Sequence, residues 1–282
     1  MKSDSSCFPC MVKQAHSTVV RTVPDEDKRW EVLTLASAVL PDLSRNDSPA
    51  YNSSLLLHEV NEKLRVEDPY AEARKELNEK ALGLVGQVKE KIKSSEDKLE
   101  AAVRLSVAGN VLDLGIGHEA DLEETMESAL SDGYARFEYD AFQEKLSSSQ
   151  RILYILDNAG ELVFDKLVID GLRSHGKMVV AAVKGGPVLN DATREDAVQA
   201  GLDKSAKVID TGNNFVGVIR DKCSDMFLKV LDSADMVIAK GQGNYETLDE
   251  EGDRFFFILK AKCPYIARNL GIDENRFALV QG

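Results

Sequence analysis

Hydrophobic residues recur every three to four positions through the first half of the chain. Leu77, Ala81, Leu84, Val88 and Ile92 form one such stripe, with Lys and Glu between them. Leu56, Val60 and Leu64 form another before it, and Leu99, Val103 and Val107 a third after it. That spacing is the period of an amphipathic helix. Pro24, Asp25 and Glu26 mark a helix start ahead of Trp30, and Asp68-Pro69 marks a break between helices. No useful alternation of period two occurs before Gln150, so residues 1–150 read as an all-helical domain.

From Arg151 the texture changes. Ile152–Leu156, Lys177–Val183, Lys207–Asp210, Met236–Ala239 and Phe255–Leu259 are short apolar runs, each followed by polar residues. Helical stretches at Glu161–Ser174, Thr193–Ala200 and Lys222–Ser233 lie between most of them. Strand, polar loop and helix in repetition predict, over residues 151–282, an α/β domain with a mainly parallel sheet and helices on both faces. Right-handed crossovers place the C-terminal ends of such strands on one edge, where open α/β sheets bind ligands.

The chemistry-bearing residues gather just past those strand ends. They are Asp157 and Asn158; Lys184, Gly185, Gly186, Asn190 and Asp191; Asn213 and Asn214; Gly241, Gly243 and Asn244; and Lys260. Carboxylate and amide oxygens suit a hard divalent cation, while lysines and glycine-loop amides suit phosphate oxygens. Together they point to a metal-assisted phosphate-ester site. Asp, Asn and Gly also collect in loops because they make turns, but five such loops share one edge here.

Charge and cysteine content narrow the classes. The 282 residues carry 35 Lys and Arg against 48 Asp and Glu, a net charge of -13. Binding to nucleic acid or to an anionic membrane needs a basic face, so neither partner is expected. The first residues have no basic and apolar signal-peptide pattern, and no apolar run approaches membrane-spanning length. Four cysteines do not make a disulfide framework, and a reducing cytoplasm is the expected compartment. Cys7 and Cys10 form a CxxC whose structural, metal and redox readings stay open. His58, His118 and His175 are isolated and none is assigned to catalysis.

Three segments, Asp157-Asn-Ala-Gly-Glu161, Lys184-Gly-Gly-Pro-Val-Leu-Asn-Asp191 and Lys240-Gly-Gln-Gly-Asn-Tyr-Glu246, carry a resemblance in their order and spacing. They resemble the damage-control phosphatase family, formerly a domain of unknown function. Ala108-Gly-Asn110-Val-Leu-Asp113 and the CxxC resemble its mainly prokaryotic branch, subfamily I. The resemblance implies a helical domain joined to a Rossmann-like α/β/α domain. It implies a metal-dependent phosphatase, expected to act on small phosphorylated metabolites, and an Asp/Asn/Asp site could use Mn, Ni, Co or Mg. Asp157, Asn158 and Asp191 would bind the metal. Asn110, Glu161, Lys184, Gly243, Asn244 and Lys260 would face the substrate. Lys262 rivals Lys260 at the phosphate, because Phe257-Ile-Leu precedes Lys260 where the eukaryotic branch has Arg-Thr before its lysine. The nucleophile, a metal-bound water or an aspartate, stays open, and so does the oligomeric state. Two other readings remain: a nucleotide-binding oxidoreductase and a non-catalytic binding module. The first lacks its third glycine after Gly241-Gln-Gly243, and its first strand ends in Asp-Asn-Ala-Gly.

Overall fold

The computed structural model describes residues 1–107, 109 and 119–282. The first half supplies helices α1 (Cys7–Thr22), α2 (Glu26–Ala36), α3 (Pro49–Leu64), α4 (Ala71–Ser94), α5 (Lys98–Leu105), α6 (Glu119–Leu130) and α7 (Tyr139–Ser148). Three of their starts, those of α2, α3 and α5, are capped by short polar side chains. Asp25 accepts from the Lys28 amide, Ser48 from that of Tyr51, and Asp97 from those of Leu99 and Glu100. Each cap satisfies helix-end amides that otherwise lack partners.

These helices do not form one bundle. α1, α2 and α3 close around Met11, Val19, Val32, Leu56 and Val60. The stripe on α4 and α5 instead joins the main core: Leu77, Ala81, Val88, Leu99 and Val103 pack with Leu162, Val163 and Ile169. Those three belong to α8 (Glu161–Ser174).

The sheet contains β1 (Tyr134–Phe137), β2 (Arg151–Ile155), β3 (Met178–Val183), β4 (Lys207–Asp210), β5 (Met236–Lys240), β6 (Phe255–Lys260) and β7 (Phe277–Gln281). Its order is β1-β7-β6-β5-β2-β3-β4. β2 to β6 run parallel, and β7 is antiparallel to β6. The sequence reading finds β2 to β6 and misses β1 and β7. β1 is four residues long, shows no apolar run, and pairs with β7 through a shifted register. β7 follows an antiparallel return, outside the strand–helix repeat.

Between the strands lie α9 (Arg194–Gln199), α10 (Asp225–Ser233), α11 (Gln242–Leu248) and α12 (Pro264–Leu270). Successive strand residues face opposite layers. Ile152, Tyr154, Ile238 and Phe256 meet α4, α5 and α8, while Leu153, Ile155, Val237 and Phe257 meet α10, α11 and α12. Both faces are therefore covered, which explains why the central strands read as unbroken apolar runs.

The strand order places the switch point at β2 and β5. From β2 the chain moves outward through β3 and β4, then crosses back to β5 on the other side. The loops after β2 and β5 diverge there and leave a crevice. α4 clamps its rim through a buried network. Arg74 donates from Nε to Asp196 Oδ2 at 2.9 Å and pairs with both oxygens of Asp68. Asn78 donates to Asp196 Oδ1 at 2.8 Å and accepts from the Gly160 amide at 2.7 Å. Asp196 also accepts from the amide and hydroxyl of Thr193, closing a capping box on α9.

Removing Asp196 would leave the Arg74 guanidinium buried without half of its charge balance. Asp196→Ala is expected to cost about 3 kcal/mol of unfolding free energy, measured by urea denaturation. A loss below about 1 kcal/mol, the range of an exposed pair, would show that the network does not hold the two halves together.

Candidate active site

Two loops build the floor of the crevice by pairing with each other. The Ala192 amide donates to Asp157 O at 2.7 Å, and the Ala159 amide to Asn190 O at 2.9 Å. Asn158 and Asp191 thus face each other as a single antiparallel bridge outside the sheet. The Lys184 amide adds a third bond, to Ala192 O at 2.9 Å. Backbone pairing, not side-chain attraction, brings the carboxylates of Asp157 and Asp191 together.

Their electrostatics reflect that. Burial raises the Asp157 carboxyl well above its ordinary range, and the charges of Asp191 and Glu161 push it further, while Lys262 and Lys184 pull it back. Burial also raises Asp191, against the pull of Lys184 and Lys262. Asp191 is 4% exposed, and its Oδ2 has no hydrogen-bond partner among the described residues. The Lys184 ammonium stands 3.5 Å from that oxygen and gives its hydrogen bond to Gly217 O at 2.6 Å. The Asn158 side-chain nitrogen donates to Asp157 Oδ2 at 3.0 Å and reaches Glu161 Oε1 at 3.4 Å. That turns the amide oxygen of Asn158 away from both carboxylates.

This donor set fits a hard divalent cation. It holds two carboxylates under mutual repulsion, one buried carboxylate oxygen with only an ammonium at 3.5 Å, and an amide oxygen turned from the Asp157 carboxylate. Among the described residues no three His, Cys, Asp or Glu side chains gather as a metal site. The candidate set is instead two carboxylates and an amide. Cys7, Cys10 and Cys263 all line the same cavity and likewise form no such group among the described residues.

Two glycines are required by close approach. Gly241, at the turn from β5 into α11, has φ 81°, and a Cβ there would fall 1.9 Å from Asp157 Oδ2. Its amide donates to Ile258 O at 2.9 Å, so the turn offers a carboxylate wall where a dinucleotide's pyrophosphate would need donors. Gly109 comes so near α8 that a Cβ would fall 2.5 Å from Glu161 Cα. Asn110, expected at the substrate, lies outside the described residues.

The remaining expected residues divide. Asp157, Asn158, Asp191 and Gly243 line a cavity of about 280 Å³ at this edge. Lys262 lines it too, whereas Lys260 does not, its ammonium lying 5.9 Å from the Phe277 ring centroid. Glu161 is 4% exposed beneath Asn158. Lys184 sits behind Asp191 and away from this cavity's wall. Asn244 is buried and does not reach the cavity: its amide nitrogen donates to Leu156 O and Lys240 O, tying the end of β5 to the end of β2. Glu246, at the end of the third resemblance segment, lines the cavity as an acid, and the sequence reading missed the wall formed by α1 with Cys7, Cys10, Met11 and Gln14. The CxxC was visible, but nothing local shows that the first turn of α1 folds over the sheet edge beside Cys263.

Comparison with known proteins agrees with this arrangement. The model of the damage-control phosphatase ARMT1-like domain matches residues 3–276. A damage-control phosphatase of Pyrococcus horikoshii is 39% identical over 98% of this chain and 96% of its own. A damage-control phosphatase of Archaeoglobus fulgidus is 31% identical over 97% of this chain and 96% of its own. The crystal structure of a DUF89-family protein from Pyrococcus horikoshii superposes with a TM-score of 0.92 at 37% identity, covering 100% of this chain and 99% of that one. With the helical half, the sheet and the paired loops all inside that match, the chain belongs to the damage-control phosphatase family, the former DUF89.

Proposed function

We propose that this chain is a metal-dependent phosphatase of small phosphorylated metabolites, acting in metabolite damage control as its relatives' names indicate. The observation that carries the reading is the pairing of the Asp157–Asn158 loop with Asp191, which leaves Asp191 Oδ2 buried with the Lys184 ammonium 3.5 Å away and no hydrogen-bond partner among the described residues. Asp157, Asn158 and Asp191 would hold Mn²⁺, Ni²⁺, Co²⁺ or Mg²⁺. Bound there, such an ion polarises a phosphoryl oxygen and offsets developing negative charge.

The chain's own groups complete the environment. Lys262 acts on both aspartates and lines the cavity, so it is placed to balance the remaining phosphoryl oxygens. Lys184 balances Asp191 from behind. The cavity is at the small end for ligand sites, which favours a metabolite over a macromolecule. Its far wall carries Glu246, whose Oε1 accepts from Gln242 at 2.9 Å. Burial raises the Glu246 carboxyl to about 7.

Phosphate release from an aryl phosphate is expected to need added divalent metal and to stop with chelator. Asp157→Ala and Asp191→Ala should each lower it at least ~100-fold, as loss of charge stabilisation does. An Asp157→Ala variant with wild-type metal-dependent turnover would overturn the reading. Lys262→Ala should lower kcat/KM more than tenfold, about the value of one charged contact, with Lys260→Ala nearer wild type; the reverse order would assign the phosphate to Lys260.

Glu246 makes a pH-dependent contribution to stability. Its folded value of about 7 lies above the ordinary glutamate value of 4.5, so the folded chain holds a proton that the unfolded chain releases. This contribution is fully present below pH 4.5 and is lost as pH rises through 7. Glu246→Gln should therefore gain on wild type as pH rises, by up to about 3 kcal/mol. Urea unfolding at pH 5 and pH 8 checks it; an equal offset at both would contradict the burial of an ionising group.

A further inference from the structure

Lys240 ends β5 and is 1% exposed, a cation removed from water inside the protein. Its ammonium donates to Asp165 Oδ1 at 2.6 Å and to Ser106 O at 3.1 Å, and reaches Glu161 Oε2 at 3.5 Å. Tyr154 donates to the same Asp165 oxygen at 2.8 Å. Asp165 is fully buried and lies outside the cavity lining, and its Oδ2 has no hydrogen-bond partner among the described residues. Glu161, one α8 turn before Asp165, offers its other oxygen to the Asn158 amide.

The arrangement poses a charge problem. Glu161 lies in the same field as Asp157 and Asp191. A third carboxylate beside two others would join any cation they bind, because hard cations collect oxygen ligands. Yet no three acids gather as a metal site among the described residues. The Lys240 ammonium stands on the other side of Glu161, and burial would favour its loss of charge were Asp165 and Glu161 not holding the proton on. The Ser106 carbonyl adds a tie to the helical half.

We propose that Lys240 is a positioning residue of the active site: shared between Asp165 and Glu161, it holds Glu161 beside Asn158 and withholds it from the cation site of Asp157, Asn158 and Asp191. The inference rests on the reading of those three residues as a cation site. Lys240 does not touch substrate. It sets the number of acids that the cation meets, and Asp165 sets how much of the Lys240 charge is spent away from Glu161.

The two partners therefore act in opposite directions on metal affinity. Lys240→Met removes a positive charge and frees Glu161, so the site binds a cation more tightly while its geometry, and kcat, suffer. Asp165→Asn keeps an acceptor for Lys240 and Tyr154 but turns the whole ammonium charge on Glu161, so cation affinity falls. A purely structural pair would weaken binding in both variants or in neither.

Isothermal titration of Mn²⁺ and Ni²⁺ into the chelator-stripped full chain decides it, with aryl phosphate turnover in parallel. Lys240→Met should lower the metal Kd about tenfold and lower kcat with it, and Asp165→Asn should raise the Kd about threefold, as a Coulomb effect of one nearby charge predicts. Shifts in the same direction, or no shift in either, overturn the inference. If Lys240→Met does not fold, Lys240→Gln takes its place and is read the same way: a lower Kd than wild type beside a higher Kd for Asp165→Asn supports the role, and a rise in both overturns it. A wild-type chain that binds neither metal overturns the cation site and this inference together; wild-type binding with unmoved variants overturns this inference only.

Discussion

The backbone pairing of the loop after β2 with the segment at Asn190–Ala192 governs everything else at the sheet edge. Those bonds are local and neutral, but they force Asp157 and Asp191 into one buried space. Like charges at such a separation disfavour ionisation of both, and burial adds to the effect. The fold offsets that cost by surrounding the pair with cations. Lys184 stands behind Asp191, Lys262 faces both from the cavity, and Lys240 holds the next acid, Glu161. A bound divalent cation would relieve the remaining repulsion and invert the local field. An acidic protein, at -13, can attract an anionic ester on those terms.

The helical half supports this edge more directly than a separate bundle would. α4 reaches the β2–α8 loop through Asn78 and the Asp191–α9 segment through Asp196, so one helix holds both paired loops. Ser106 accepts from Lys240 beneath the site, and Gly109 lies against Glu161. α1 and α3 close the cavity from the far side with Cys10, Gln14 and Ser53. The shape that would select among phosphate esters is thus built by helices, while the shared phosphate chemistry is built by strand ends.

Legibility in the sequence followed the range of the interactions. The five parallel strands and the loops behind them were readable because each combines an apolar run with turn chemistry in a few residues. Asp157, Asn158 and Asp191 were readable as a set because parallel topology alone brings their loops to one edge. β1 was lost because four residues paired only with β7, over 130 positions later, carry no periodic signal of their own. The choice between Lys260 and Lys262 was undecidable locally, since it depends on where β6 ends and the chain turns. Asn244, expected at the substrate, straps the ends of β2 and β5 through its amide nitrogen, a role invisible in sequence because Asn meets carbonyls and substrates with the same atoms. The convergence of Cys7, Cys10 and Cys263 depends on α1 folding across the whole domain, which no spacing reveals.

On the proposed reading, Asp157, Asn158 and Asp191 converge on one cation. Anomalous diffraction from crystals of the full chain soaked in Mn²⁺ tests it most directly. The account predicts one strong peak within coordination distance of an oxygen of each of the three side chains, with Glu161 still turned to Lys240. A peak held by Glu161 and not by Asp191, or no peak at this edge in a crystal that takes up Mn²⁺ elsewhere, would contradict it.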